Sequence, residues 1–101
     1  LELMRSCELC DKDLPPNSTE ARSCSYECTF GVSGVESVLH DVCPNCGGGF
    51  NTRPIRPVNA HRDGVSLNHQ TASATRNQCR FTPEEITQFV SDLKHISPAE
   101  R

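Results

Sequence analysis

The chain has 101 residues, a formal net charge of −3, and a hydrophobic fraction of 35% without tryptophan. A chain of this length and polarity buries only a small core, and such domains usually need a disulfide or a metal for stability. No apolar run reaches the length of a membrane span, and we read no signal peptide. We therefore expect a cytoplasmic protein in which the paired cysteines, six of the seven, bind metal rather than form disulfides.

Charge is spread unevenly along the chain. Residues 1–50 carry a balance of −5, residues 51–80 carry +4, and the remaining residues carry −2. The acidic cysteine region is a poor match for a phosphate backbone, so we do not expect nucleic-acid binding there. The arginines of the middle segment are more simply explained as residues of a solvated linker, namely Arg53, Arg56, Arg62, Arg76 and Arg80.

The sequence of the first half of the chain predicts a series of short elements. A short extended piece runs into "CELC", and "DLPPNS" follows as a rigid turn because two prolines fix φ. "EARSCSYECTF" alternates in character and predicts a hairpin around Ser25 and Tyr26. "GVSGVESVLH" places its apolar residues at helical spacing, which predicts a short helix capped by Ser33 and ending near His40.

The second half predicts a linker and one amphipathic helix. "NTRPIRP" reads as an extended edge or linker, and residues 58–80 contain few large apolar groups, which favours a mobile linker. Thr82, Pro83 and Glu85 form the signature of a capping box at the start of a helix over 81–98. Its apolar stripe fits either packing onto the parent domain or docking of a partner. The stripe consists of Ile86, Phe89, Val90, Leu93 and Ile96.

Three cysteine pairs have the spacing of metal ligands. Cys7-x-x-Cys10 and Cys43-x-x-Cys46 each place two sulfurs on one tight turn, which suits a tetrahedral zinc ion, and Cys24-x3-Cys28 is looser but compatible. Gly47, directly after the last cysteine, can adopt a positive φ, so that backbone N–H groups point at the sulfurs. Unmetalled buried thiols are the plain alternative.

The order of the pairs resembles the eight-ligand cross-brace of RING fingers, in which the first and third pairs hold one zinc and the second and fourth hold the other. Gly31 and Gly34 stand where the third pair would be. The stretches "LELMRSCELCDKDLPP", "ARSCSYECTF", "VCPNCGG" and "RPIRP" resemble a family of short, cysteine-rich bacterial proteins of unknown function. Members of that family carry cysteines at both glycine positions. The resemblance covers residues 1–57 and implies a zinc-binding, RING-like, treble-clef fold without indicating an activity.

If the cross-brace holds, one zinc site is intact and the second is degenerate. The intact site consists of Cys24, Cys28, Cys43 and Cys46. The Cys7 and Cys10 pair then has three possible fates: a vacant remnant, a second site completed by a replacement ligand, or a small disulfide. The candidate replacement ligands are His40, Cys79, His61 and His69. A rival pairing joins Cys7 and Cys10 to Cys43 and Cys46 as a zinc ribbon and leaves the middle pair free.

We therefore expect a small metal-stabilised α+β protein, with a RING-like zinc-binding domain at 1–57, a linker at 58–80 and a helix at 81–98. The expected function is that of a non-catalytic zinc protein that binds an unidentified protein partner and no membrane, because four sulfurs leave zinc no open position. Three alternatives come from other classes: a ubiquitin-ligase-like adaptor, a C-x-x-C thiol redox protein, and a nucleic-acid-binding finger. Ligase RINGs commonly place a basic residue after the last cysteine, where this chain has Gly47.

Overall fold

The computed structural model describes residues 3–101 and has the small α+β architecture expected from the sequence. It contains three short strands, two helical segments and a final 3-10 turn. In chain order these are β1 (Ala21–Ser23), β2 (Thr29–Gly31), α1 (Val32–Gly34, continued by a π-helical turn at Val35–Leu39), β3 (Asn51–Thr52), α2 (Pro83–Leu93) and the turn at Pro98–Glu100. No helix in the described part of the chain is long and apolar enough to cross a membrane.

The three strands form one antiparallel sheet in the order β2-β1-β3. Ala21 pairs with Gly31 and Ser23 with Thr29, which confirms the predicted hairpin around Ser25 and Tyr26. Within the predicted extended edge, β3 pairs with the other side of β1. The sheet therefore places the Cys24–Cys28 turn at one end of its central hairpin.

The first helical segment follows β2 directly and ends where the sequence predicts. His40 adopts the left-handed conformation that commonly terminates a helix, with φ of 47°. The predicted capping role of Ser33 is wrong, because Gly31 occupies the cap position without a side-chain hydrogen bond. Ser33 lies inside the segment instead, and its carbonyl accepts a hydrogen bond of 2.6 Å from the Ser37 hydroxyl.

The core lies between the sheet, α1 and α2. Phe30 is fully buried and meets Phe50 edge-on, with ring centroids 5.4 Å apart. Leu39 and Val42 are also fully buried. Burial of a side chain of this size contributes about 1.5–3 kcal/mol. Because the chain buries few such large side chains, its core is small. Three cysteines, one from each pair, belong to the same buried cluster: Cys7, Cys24 and Cys43.

Helix α2 begins with the predicted capping box and packs against this core. The Glu85 N–H donates to the Thr82 hydroxyl oxygen at 3.2 Å, while the Thr82 N–H donates to the Glu85 carboxylate at 2.9 Å. Ile86 and Val90, each 3% exposed, join the buried cluster. Of the two interpretations of the apolar stripe, packing within the chain is therefore the one that the structure shows.

Arg53 is not a solvated linker residue, which corrects the interpretation drawn from the sequence. Its side chain lies inside the protein, with 4% of the residue exposed. The guanidinium donates to the carbonyl oxygens of Met4 at 2.7 Å, Pro15 at 2.8 Å and Leu14 at 3.4 Å. Burial lowers the pKa of Arg53. This arginine binds backbone within the chain and leaves no free guanidinium for a phosphate.

The segment between β3 and α2 contains no strand or helix among the elements described above, but it is tied to the rest of the chain. The Leu67 N–H donates to the Pro57 carbonyl at 2.8 Å, and Ser66, 1% exposed, bonds His69 Nδ1 at 2.7 Å. Residues 73–79, which we call the strap, then run along the N-terminal cysteine turn. The domain boundaries expected at residues 57 and 80 stay predictions.

Candidate metal centre

The Cys24–Cys28 turn closes the β1–β2 hairpin and directs backbone donors toward sulfur. The Cys24 N–H donates to the Cys28 carbonyl at 3.1 Å, and the Glu27 N–H donates to the Cys24 carbonyl at 3.0 Å. Glu27 has a φ of 69°. The Tyr26 N–H lies 3.3 Å from Cys24 Sγ and donates to it. Such N–H···S bonds stabilise a thiolate and orient it toward a metal.

The Cys43–Gly48 turn faces this hairpin. The Cys43 N–H donates to the Gly48 carbonyl at 2.8 Å, and the Gly47 N–H donates to the Cys43 carbonyl at 2.7 Å. The Gly48 N–H donates to Cys46 Sγ at 3.4 Å. Gly47 has a φ of 83°, and a Cβ there would lie 3.1 Å from the Leu93 side chain of α2. Glycine is therefore favoured at this position by the backbone conformation, and a larger residue would also require the Leu93 side chain to shift.

The two turns bring three sulfurs together. The Sγ atoms of Cys24, Cys28 and Cys43 all lie within 4.8 Å of one another. Within residues 3–101, these three cysteines are the potential metal ligands that approach one another this closely. Cys46 is exposed, and its sulfur lies outside this trio, although its turn holds it beside Cys43. Its predicted role as fourth ligand stays a prediction.

The surroundings shift the pKa values of the three thiols in different directions. Burial raises the pKa of Cys28 to about 11 and also raises that of Cys43. Burial opposes ionisation of Cys24 as well. Hydrogen bonds from the backbone at Tyr26 and Cys28, and from the thiols of Cys28 and Cys43, outweigh it and lower the Cys24 pKa. Without a metal, Cys24 is therefore the thiol of the trio that loses its proton most readily.

A buried carboxylate supports the site, and the sequence analysis missed it. Glu8 is 8% exposed, and its carboxylate accepts from the Thr29 N–H at 2.8 Å and from Asn45 Nδ2 at 3.2 Å. The Asn45 side chain in turn lies near the Cys28 thiol and opposes the rise of its pKa that burial causes. Glu8 thus orients the amide that contacts the cluster. Its partners lie 21 and 37 residues away along the chain, so no local pattern could have indicated this role.

The N-terminal pair has the same kind of turn but does not join a sulfur cluster. The Cys7 N–H donates to the Lys12 carbonyl at 2.9 Å, and the Asp11 N–H donates to the Cys7 carbonyl at 2.9 Å. These are the bonds of the Cys43–Gly48 turn at equivalent positions. Asp11 adopts a φ of 61° where the other turn has Gly47. Cys7 is 1% exposed and Cys10 is exposed. In residues 3–101, none of the candidate replacement ligands forms a close trio with this pair.

Gly31 and Gly34, at the position of the third pair, are not required by their backbone. Their φ values are −75° and −66°, which any residue can adopt. A Cβ at Gly31 would meet no atom within 4 Å, whereas a Cβ at Gly34 would lie 3.1 Å from Leu9 Cδ2. The Leu9 side chain therefore occupies part of the space beside the N-terminal turn.

Fold and site together define a small cysteine-rich α+β protein with a cluster of thiols that is compatible with metal binding. The model of a family described as a protein of unknown function (DUF1272) matches residues 1–56, and the chain belongs to this family. A relative from Rhizobium meliloti (strain 1021), described as uncharacterized protein R02474, is 50% identical over 58 residues, which cover 57% of this chain and 69% of the relative. No solved structure matches the chain.

Proposed function

We propose that this protein is a non-catalytic zinc-binding module that recognises another protein, with Cys24, Cys28, Cys43 and Cys46 as the zinc ligands. The observation that carries the proposal is the convergence of the Cys24, Cys28 and Cys43 sulfurs within 4.8 Å. Thiolates on tight turns with N–H···S bonds are typical of structural zinc sites. A closed four-sulfur site has no position for water or substrate, which argues for a role in folding rather than catalysis.

The grouping of the cysteines favours the cross-brace over the zinc ribbon. Cys43 lies with Cys24 and Cys28, as it would if the second and fourth pairs shared a metal. A ribbon would instead join Cys43 to Cys7 and Cys10 and leave the middle pair free. The small core supports the same reading, since zinc binding can supply folding free energy that few buried side chains provide.

The end of the hairpin offers a surface for a protein partner. Tyr26 lies on the Cys24–Cys28 turn and is 77% exposed. Aromatic side chains that are held on a rigid element are frequent anchors of protein interfaces. The acidic balance of residues 1–50 points to a partner with a basic surface.

Two of the alternative functions lose support from single residues. Leu9, which could serve as the exposed apolar residue of a ligase-type RING, is partly buried and packs against the core. Arg53, one of the candidate phosphate contacts, is bound to backbone carbonyls in the interior. Both observations favour the non-catalytic protein-binding module.

Zinc per chain, measured by native mass spectrometry on reduced, zinc-supplied protein, tests the proposal. We expect one zinc on the wild type and on Cys7→Ser, and none on Cys43→Ser. A wild type without zinc would refute the metal assignment. Two zincs on the wild type, with one lost in Cys7→Ser, would show that the N-terminal pair has recruited other ligands.

Zinc binding is expected to release protons at pH 7. Because Cys28 has a pKa of about 11 and that of Cys43 is also raised, both thiols are protonated there and must lose their protons to bind the metal. Affinity should therefore rise with pH, by about tenfold per pH unit for each proton displaced. Calorimetry in two buffers of different ionisation enthalpy measures the number released. Binding without proton release would contradict the prediction. Cys79→Ser is the matched control, because it removes a thiol that is not among the proposed zinc ligands.

A further inference from the structure

Three sulfurs of the candidate metal centre stand apart from the fourth. The Sγ atoms of Cys24, Cys28 and Cys43 lie within 4.8 Å of one another. Cys46 is exposed, and its sulfur lies outside this trio. A tetrahedral zinc site takes four ligands, so it needs Cys46 as well. The trio by itself is already complete for an ion that binds three sulfurs.

The trio faces the interior of the protein, while Cys46 faces solvent. Cys43 is fully buried and Cys24 is 6% exposed, and both belong to the core cluster. Cys28 is partly buried and packs against that cluster. Cys46 instead accepts from the Gly48 N–H of its own exposed turn at 3.4 Å. An ion held by the trio alone is therefore shielded from water on the side of the core.

The surroundings of the trio disfavour further negative charge. Glu8 is 8% exposed, and its carboxylate accepts from the Thr29 N–H, directly after Cys28, at 2.8 Å. The same carboxylate accepts from Asn45 Nδ2, beside Cys43, at 3.2 Å. Burial of net charge is costly, and more so beside a charge of the same sign. Four thiolates on zinc leave a net charge of −2, whereas three thiolates on a trivalent ion leave none.

We propose that Cys24, Cys28 and Cys43 bind trivalent arsenic as a three-coordinate thiolate complex and leave Cys46 free. Trivalent arsenic is soft, keeps a lone pair and forms a pyramid with three sulfurs, so its softness, coordination number and charge all match the trio. The arsenic site shares its cysteines with the proposed zinc site, on which it rests for the identity of the cluster but not for the bound ion.

Binding is a substitution at arsenic without electron transfer. Arsenite at neutral pH is arsenous acid, which carries three hydroxyl groups. Each thiol forms one As–S bond while one As–O bond breaks, and the hydroxyl leaves as water with the proton of that thiol. Three thiols and one arsenous acid therefore give one neutral complex and three waters. Where zinc is bound beforehand, it is released, solvent supplies the missing protons, and Cys46 takes up one proton as a free thiol.

The N-terminal pair provides a comparison within the same chain. Cys7 and Cys10 lie on an equivalent turn, but in residues 3–101 they form no close trio with a third ligand. Two thiols replace two of the three hydroxyls on arsenic and leave the third in place. Inorganic arsenite should therefore bind at the trio first. Cys10→Ser, which removes the exposed thiol of the pair, is the matched control.

The test is titration of the reduced, full-length, zinc-supplied protein with sodium arsenite, followed by native mass spectrometry. We expect a complex that has gained one arsenic atom, has lost three hydrogen atoms and retains no zinc. Brief alkylation with N-ethylmaleimide under native conditions, followed by peptide mapping, identifies the ligands. Cys46 should be modified in the arsenic-loaded protein. The three cysteines of the trio should be protected relative to chelator-treated protein without arsenic.

Substitutions locate the site independently. Cys46→Ser and Cys10→Ser should bind arsenite as tightly as the wild type. Cys24→Ser and Cys28→Ser should each weaken binding by about tenfold or more, because only two sulfurs remain for arsenic. The proposal is overturned if the wild type binds no arsenic or if a hydroxyl stays on the bound arsenic. It is also overturned if Cys10 and its partner in the turn are the protected residues, or if Cys46→Ser loses as much affinity as Cys24→Ser.

Failure of the zinc assignment can be told apart from failure of the arsenic site. A wild type that takes up no zinc but binds arsenic through the trio would refute the zinc assignment and support the arsenic site. A wild type that holds one zinc and does not exchange it for arsenic would do the reverse.

Discussion

Cys43→Ser is expected to unfold the protein under conditions in which the wild type is folded. Cys43 is fully buried in the core cluster and also belongs to the sulfur trio, so the substitution removes a proposed metal ligand and places a hydroxyl in an apolar site. Structural zinc contributes about 10–16 kcal/mol in small zinc domains, whereas domains of this size are stable by about 5–15 kcal/mol. Loss of the metal therefore removes a free energy as large as the whole margin of stability.

Cys7→Ser is the matched control, since Cys7 is equally buried and lies on an equivalent turn but has no sulfur trio around it. We expect it to cost about 1–3 kcal/mol, the range for an imperfectly satisfied buried polar group. Circular dichroism during thermal unfolding, with and without a zinc chelator, measures both effects. Chelation should reduce the wild type to the state of Cys43→Ser. Equal losses from the two substitutions would show that both pairs are metal ligands or that neither is.

The double substitution Gly31→Cys with Gly34→Cys is expected to create a second zinc site. The Cys7–Lys12 turn already has the hydrogen bonds of the other C-x-x-C turn, and its positive φ at Asp11 is retained. Both glycines have φ values that cysteine can adopt. Gly31 faces open space, and the contact at Gly34 is with the end of the flexible Leu9 side chain, which can move by a few tenths of an ångström.

Native mass spectrometry should therefore find two zincs on the double variant and one on the wild type. The expected gain in stability is several kcal/mol, since a bound structural metal contributes to folding directly. Gly31→Ser with Gly34→Ser is the control, because it introduces side chains of similar size without thiolates. If the cysteine variant still held one zinc, the N-terminal turn would not be a remnant of a metal site.

Local sequence patterns were sufficient to predict the elements whose formation depends on residues close together in the chain. The hairpin around Ser25 and Tyr26 and the capping box at Thr82 both formed as predicted, because turn chemistry and capping act over a few residues. The cap of α1 was predicted at Ser33 from residue type alone. The chain enters that helix directly from β2, so the cap position falls on Gly31 instead.

Contacts between distant residues could not be predicted in this way. The burial of Arg53 depends on carbonyls 38 to 49 positions earlier, and nothing around "NTRPIRP" distinguishes this arginine from a solvated one. The contacts of Glu8 and of the strap also join residues that lie far apart in the chain, so local sequence patterns did not predict them. Cysteine spacing indicated three candidate pairs because metal ligands come in pairs on turns, but which sulfurs lie together depends on the fold. The Asn45 amide and the buried Glu8 carboxylate that support them follow no such spacing.

The interior position of Arg53 also bears on the order in which a growing chain can fold. Its guanidinium joins the carbonyls of Met4, Leu14 and Pro15, so these contacts cannot form until residue 53 has left the ribosome. Cys43 has by then already emerged, and the sulfur trio can assemble first. During synthesis, therefore, the sulfur cluster can act as the nucleus onto which the earlier-made N-terminal residues fold back.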